Sequence, residues 1–389
     1  MKQRLVSIDS VRGTVMILMA LDHVRDLMHR TSLTQSPTDL SSTTPVLFFT
    51  RWITHLCAPT FVFLAGTSVY LSVKKMKDRS KSRSFLLQRG LWLVLLEFTL
   101  VNFGMFFDLG FHQLLFEVIA AIGVGFLVLA LLLPLSSRVV LLLGLFLLCA
   151  HDAVGLLPFL QSSMNKSLWS LLFFPGPVAL SVHRIGVMAY PPIPWLAIML
   201  VGYGAGQFFV QPTALRRKSF LWVGISSLLL FFVLRMANVY GDSFPWAKQK
   251  DWVMTLLSFL NVTKYPPSLL FSLLTLGVMF LLLWTSERRP SHFMKVTTTY
   301  GKVPLFYFVV HFYLIHLILL GVLLLQGISP AQWNFSSGSF GRPQGQPSGT
   351  SLGLVYVLWA TVVAMLYYPC RWFGRYKAAH PHYTWLRYL

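Results

Sequence analysis

An all-α polytopic membrane bundle of about ten spanning helices is the fold class that this sequence predicts. Three observations carry that expectation. Of 389 residues, 55% are hydrophobic and only 11% charged, with a mean hydropathy of +0.64, which leaves too little polar surface for a soluble domain. Apolar runs recur along the chain at the length of roughly 20 residues that a hydrocarbon core of about 30 Å requires. Lysine and arginine collect in alternate connections between those runs, the pattern that orients membrane helices.

The runs lie at 11–29, 46–73, 90–107, 114–134, 138–158, 193–210, 219–237, 266–285, 303–326 and 352–369. The first continues from its apolar core into charge and lacks a small-residue cleavage pattern, so it is read as a retained span and not a signal peptide. The second carries Pro59, expected to free a backbone carbonyl and kink the helix, a geometry tolerated in a membrane only against protein or a water-filled cavity. Farther along it, Ala65, Gly66, Thr67 and Ser68 permit close helix contact. Glu97, Asn102 and Asp108 in or beside the third run, Gln113 and Glu117 at the start of the fourth, and His151 and Asp152 in the fifth read as hydrogen-bond partners inside the bundle. The sixth, seventh and eighth runs follow, and the ninth carries Tyr307, His311, Tyr313 and His316. Tyr307 and His311 share a face, whereas His311 and His316 lie about 140° apart and do not reach one ligand together. With the tenth run the chain reads as a single domain, 1–389, without internal repeats.

Charge sets the expected topology. The densest cluster, Lys74, Lys75, Lys77, Arg79, Lys81, Arg83 and Arg89, falls between the second and third runs. Arg216, Arg217 and Lys218 follow the sixth, Arg288, Arg289 and Lys295 the eighth, and Arg371, Arg375 and Lys377 the tenth. With Lys2 and Arg4 these all fall on one side, which the positive-inside rule makes cytoplasmic, together with both termini. This dispersal argues against a nucleic-acid partner despite the net charge of +20. Anionic headgroups of the lipid bilayer account for such charge, and a cytosolic polyanion such as coenzyme A is the sharper reading. Cys57, Cys149 and Cys370 suit neither a disulfide framework nor a metal site and are expected to be reduced and buried. On the opposite side, the loops at about 159–192, 238–265 and 328–351 carry aromatics and prolines, among them Trp169, Trp246, Trp252, Tyr265 and Trp333. They fit either a cover over a cavity mouth or an interfacial aromatic belt.

The segment Ser7–Arg30 sets Asp22, His23, Arg25 and Asp26 directly on an apolar stretch, where ionisable groups are expensive and usually functional. Asp9, Arg12, Met16, Met19, His23 and Asp26 fall on one helical face. An imidazole beside a carboxylate can take a proton from a nucleophilic hydroxyl or amine, which makes His23 with Asp22 the leading candidate base; ordinary ion pairing at a helix end is the alternative. Arg51 and His55, four apart on the second run, are neighbours on one face and join the candidate set with His311. No HExxH, CxxC, Walker A, GxGxxG or GxSxG pattern appears in suitable context, so no metal is expected and hydrolase or nucleotide chemistry lacks support. Transfer or transport remains.

SIDSVRGTVMILMALDHVRD, RWITHLCAPTFVFLAGTSVYL, YGKVPLFYFVVHFYLIHL and YPCRWFGRYKAAHPHYTWLRYL together resemble the bacterial membrane proteins grouped with heparan-alpha-glucosaminide N-acetyltransferase, within the wider transmembrane acyltransferase superfamily. The resemblance covers most of the chain and implies a bacterial inner-membrane location. The lysosomal enzyme of this group moves an acetyl group from cytosolic acetyl-CoA to an amino sugar on the far side of the membrane, and an analogous reaction on a sugar or glycan acceptor is implied here. Two departures mark this chain: the lumenal histidine assigned as catalytic in that enzyme has no clear counterpart, and an asparagine there falls roughly where His23 stands. The mechanism that follows sets the phosphates of acyl-CoA among the basic residues from Lys74 to Arg89, with Lys74, Lys75 and Lys77 foremost, and Arg12, with the pantetheine arm along Met16 and Met19. Arg12 to His23 spans about 16 Å of helix rise, comparable with that arm. His23 or His55 then deprotonates the acceptor or becomes acylated, and Arg51 stabilises the tetrahedral oxygen. The alternative is a proton-coupled small-molecule transporter, against which the lack of an inverted repeat argues. A homodimer is one admissible assembly.

Overall fold

The computed structural model describes residues 5–156, 171–288, 291–336 and 338–388; Lys2, Arg4, Trp169 and Arg289 lie outside the described residues. The first helix, α1 (Val6–Met28), is too polar to be a lipid-facing span. Helices α11 (Leu269–Ser286), α12 (His292–Gly301), α13 (Pro304–Leu325) and α14 (Leu352–Ala379) pack against it, with α3 (Cys57–Met76) on a further side. Enclosure by protein is the condition under which its charges survive at this depth. Its entry to the bundle depends on two glycines. A Cβ at Gly13 would stand 1.8 Å from the Thr297 carbonyl oxygen of α12, and one at Gly301 would stand 1.8 Å from that of Asp9. Because both obstacles are backbone, Gly13→Leu is expected to cost about 3 kcal/mol or more. Detergent size-exclusion chromatography and thermal melting check this, and an unchanged profile would show that α1 and α12 part more easily than their contact implies.

Among the described residues, eight helical segments are long and apolar enough to cross a membrane. They correspond to the second, third, fifth, sixth, seventh, eighth, ninth and tenth predicted runs, and the chain is an integral, multi-pass membrane protein. The first run, α1, falls short through its charges. The fourth falls short through length: α6 (Val118–Leu132) has 15 residues. It rises only about 22 Å. The predicted helix start at 114 is corrected by a strand, β1 (Gln113–Phe116), which precedes the helix. That strand sits in a small sheet of order β1-β3-β2, parallel to β3 (Arg184–Met188), which pairs antiparallel with β2 (Gly176–Ser181).

The polar residues of the third and fourth runs explain this local structure. Helix α4 (Arg79–Leu96) passes through a π-turn, Glu97–Val101, into α5 (Asn102–Phe106). The Glu97 carboxylate accepts the Ala120 N–H at 2.9 Å, satisfying an orphan donor at the start of α6. Asn102 donates to the Gln113 carbonyl at 2.9 Å and accepts the Leu115 N–H at 3.0 Å, fixing β1 beside the π-turn. His151 similarly reaches the Pro267 carbonyl at 2.9 Å, and Asp152 accepts the Leu269 N–H at 3.0 Å. The kink expected at Pro59 is corrected: the break lies upstream, in the 3-10 turn Ile53–Leu56 between α2 (Pro45–Trp52) and α3, while Pro59 occupies the first turn of α3, where a missing N–H costs little. The three cysteines are free, as expected, but Cys149 is exposed on α7 (Ser137–Ala150), whereas Cys57 and Cys370 are buried.

Glu287 at the end of α11 accepts from Ser7 at 2.5 Å and from Arg216 of α9 (Thr213–Ala237) at 2.5 Å, bringing together one end of the bundle with its basic connections. At the opposite end the long loops interlock. Arg342 donates to the His29 carbonyl at 3.0 Å, Asn261 donates to that of Thr38 at 3.1 Å, and Trp52 donates to that of Leu260 at 3.0 Å.

Candidate active site

Three cavities follow one another along α1. The first, about 340 Å³, opens at the basic end and has apolar walls from α3, α4, α6 and α13. Arg12, Arg89, Lys302 and Lys377 also line it, and no carboxylate does among the described residues. The second is a small chamber of about 70 Å³ bearing Asp22, His23, Asp26, Arg51, Glu117 and Lys264. The third is a polar vestibule of about 730 Å³ under the opposite loops, bordered by Asp39, His55, Phe244, Gln249 and Asn261. Neighbouring cavities share walls: Met19, Phe61, Val118 and Phe308 form an apolar collar between the first and second, and Asp26, Arg51, Lys264 and Tyr265 form a polar collar between the second and third.

His23 faces the central chamber, with its Nδ1 buried and, among the described residues, without a hydrogen-bond partner. Its ring meets those of His311 and Phe312 at centroid distances of 5.1 and 4.4 Å. The expected pairing of His23 with Asp22 is not made. Successive helical residues diverge by about 100°. Asp22 instead accepts from Arg25 at 2.9 Å and from Arg51, while Asp26 is ion-paired with Arg25 at 2.7 Å. This buried network anchors the end of α2, just before the 3-10 turn, to α1, and its Arg51 is committed to Asp22 before any substrate arrives.

His311 is fully buried, behind His23 and outside the cavity wall. Its Nδ1 lies 2.5 Å from the Phe308 carbonyl and 3.1 Å from that of Tyr307, so the ring hydrogen sits there and the unpartnered Nε2 is the acceptor. His316 points elsewhere, stacked on Phe107 at 3.9 Å, in agreement with the expected divergence of the two histidines. Arg51 and His55 do come together along the outer vestibule. Of the other candidate residues, Arg12 and Met19 reach the cavities, Met16 is wholly buried in packing, and Lys74, Lys75 and Lys77 are exposed outside the cavity walls.

Of the basic stretch from Lys74 to Arg89 only Arg89 reaches the cavity wall; sequence reasoning passed over Lys302 and Lys377 as cavity residues, took Glu117 for a bundle-interior partner, and missed Lys264 altogether. A signal for Lys264 existed: a lysine abutting an apolar run at its non-basic end, in Thr263-Lys-Tyr-Pro-Pro-Ser268.

No curated protein matches the chain. Residues 4–238, more than half of the chain, match the family described as heparan-alpha-glucosaminide N-acetyltransferase, catalytic. The matched part carries α1, the Arg51–His55 turn and Glu117, while Lys264, Lys302 and His311 lie beyond it. A polytopic bundle enclosing ionisable side chains at membrane depth agrees with that match, and the chain belongs to the heparan-alpha-glucosaminide N-acetyltransferase catalytic family, whose kind of activity is acetyl transfer within a membrane.

Proposed function

We propose that the protein transfers an acetyl group from cytosolic acetyl-CoA, through the His23 chamber, to a sugar or glycan hydroxyl or amine on the other side of the membrane. The observation that supports this reading is the series of three cavities with shared walls. The cationic first cavity suits a polyphosphate with an apolar arm, the small chamber suits a short acyl group, and the polar vestibule with Phe244 and Tyr265 suits a polyhydroxylated acceptor. In this reading Arg12, Arg89, Lys302 and Lys377 hold the donor phosphates, Met19 and Phe308 flank its arm, and His23 moves a proton at the reacting centre, with His311 packed behind it.

The direct test is purified protein in nanodiscs given radiolabelled acetyl-CoA, with donor binding and CoA release measured. Binding with slow hydrolysis supports the reading; no binding at millimolar donor rejects it in favour of transport. Charge at the first cavity makes a second expectation. Changing Arg89 and Lys302 together to Gln is expected to weaken donor binding about tenfold or more, each lost phosphate contact being worth about 1 kcal/mol or more. Changing Lys74, Lys75 and Lys77 together to Gln is expected to do less, because these side chains stand outside the cavity walls. The reverse order in a titration would place the phosphates on the connection between α3 and α4.

A further inference from the structure

Cations around the His23 chamber divide into two kinds. Arg25 and Arg51 are committed to Asp22 and Asp26. Lys264 is 8% exposed, yet among the described residues it makes no hydrogen bond and no ion pair; its ammonium lies 4.9 Å from the centre of the Tyr265 ring. It forms part of the wall of both the chamber and the outer vestibule, at the point where a donor from one side meets an acceptor from the other. A largely buried lysine with no direct ion pair is costly, although Asp22, Asp26 and Glu117 line the same chamber. The loop around it is nevertheless held firmly. Asp242 accepts from the Thr263 N–H, the Thr263 hydroxyl and the Ser268 hydroxyl, each at 2.8 Å. Arg235 donates to the Asn261 carbonyl at 2.9 Å and to those of Phe244, Ser258 and Phe259, each at 3.0 Å. A cation on a loop fixed in advance by its surroundings, and directly paired with no carboxylate, is suited to negative charge that exists only during reaction.

We propose that Lys264 is a catalytic cation that stabilises the oxyanion of the tetrahedral intermediate formed in the His23 chamber, an inference that rests on the acyltransferase reading of this site. The acceptor oxygen or nitrogen bonds to the thioester carbonyl carbon as its proton passes to His23, and the carbonyl π pair moves onto oxygen, beside the Lys264 ammonium. The oxygen pair then re-forms the carbonyl as the carbon–sulfur bond breaks. The thiolate leaves with that bonding pair and takes the proton from His23. With water as acceptor the same sequence yields acetic acid and CoA.

The test uses full-length protein in nanodiscs with acetyl-CoA as probe, reading the CoA-release rate separately from donor affinity. Lys264→Met and Lys264→Gln are expected to lower release about 100-fold or more while donor affinity stays within about threefold, the pattern of an interaction made in the transition state. Lys264→Arg is expected to retain at least about a tenth of the parent rate, and methylammonium to restore part of the activity of Lys264→Ala, which a merely structural lysine would not allow. If the Met variant fails to fold, the Gln variant and the amine rescue decide. Release within about threefold of the parent in a folded neutral variant overturns the assignment, as does a loss confined to donor affinity. Absence of release by the parent overturns the reading of the site itself, and the inference with it.

Discussion

Replacing His23 by alanine is expected to lower acetyl-CoA turnover about 10²- to 10⁴-fold, the range that one positioned proton-transfer group supplies. Among the described residues His23 is the sole imidazole in the wall of the central chamber. His55 stands farther out, along the vestibule, and His311 is sealed behind His23. The expected order of damage is therefore His23→Ala, then His311→Ala, then His55→Ala. The middle place follows from packing, since loss of the His311 ring lets His23 tilt without removing its nitrogens. Fold is expected to survive, because the Asp22 network does not include His23. Turnover within about tenfold of the parent in folded His23→Ala would move proton transfer to Glu117 or His55.

Asp22→Ala is expected to act on stability instead. Removing the carboxylate leaves Arg51 without its ion pair beside Arg25, which keeps Asp26, in a site where the Arg25 side chain is 3% and the Arg51 side chain 13% exposed. Breaking a buried pair in this way typically costs about 3–5 kcal/mol. Lost attraction is the smaller part; the larger is an uncompensated charge. The double variant Asp22→Ala/Arg51→Met is accordingly expected to recover a good part of the stability. Thermal melting in detergent, followed by tryptophan fluorescence, measures both. Additive losses in the double variant would mean that Asp22 and Arg51 contribute independently and that the network does not anchor the end of α2 to α1.

The helices were legible in the sequence to the extent that they answer to lipid. All ten apolar runs contain helices, and the polarity that disqualifies α1 as a lipid-facing span was visible in Asp22, His23, Arg25 and Asp26. What stayed hidden answers to tertiary contact. The π-turn at Glu97 exists to satisfy donors at the start of α6, which no local pattern encodes. Density of charge along the chain drew attention to Lys74, Lys75 and Lys77, but such density reports which side faces anionic headgroups. The cavity takes single cations from separate parts of the chain: Arg89 from the far end of that dense stretch, and Lys302 and Lys377 from elsewhere. Asp22 illustrates the same limit: its neighbour in the chain is His23, but its neighbour in space is Arg51.

The two collars have an electrical consequence. Cavities that enter from opposite ends thin the insulating layer locally to the small chamber and its two collars. With water in both cavities, a voltage across the membrane would fall mainly over these few residues. Moving one elementary charge through such a gap is worth about 2.3 kcal/mol per 100 mV. Asp22 held between two arginines lets the gap contain ionised groups whose opposite signs limit the net force on the helix that carries them.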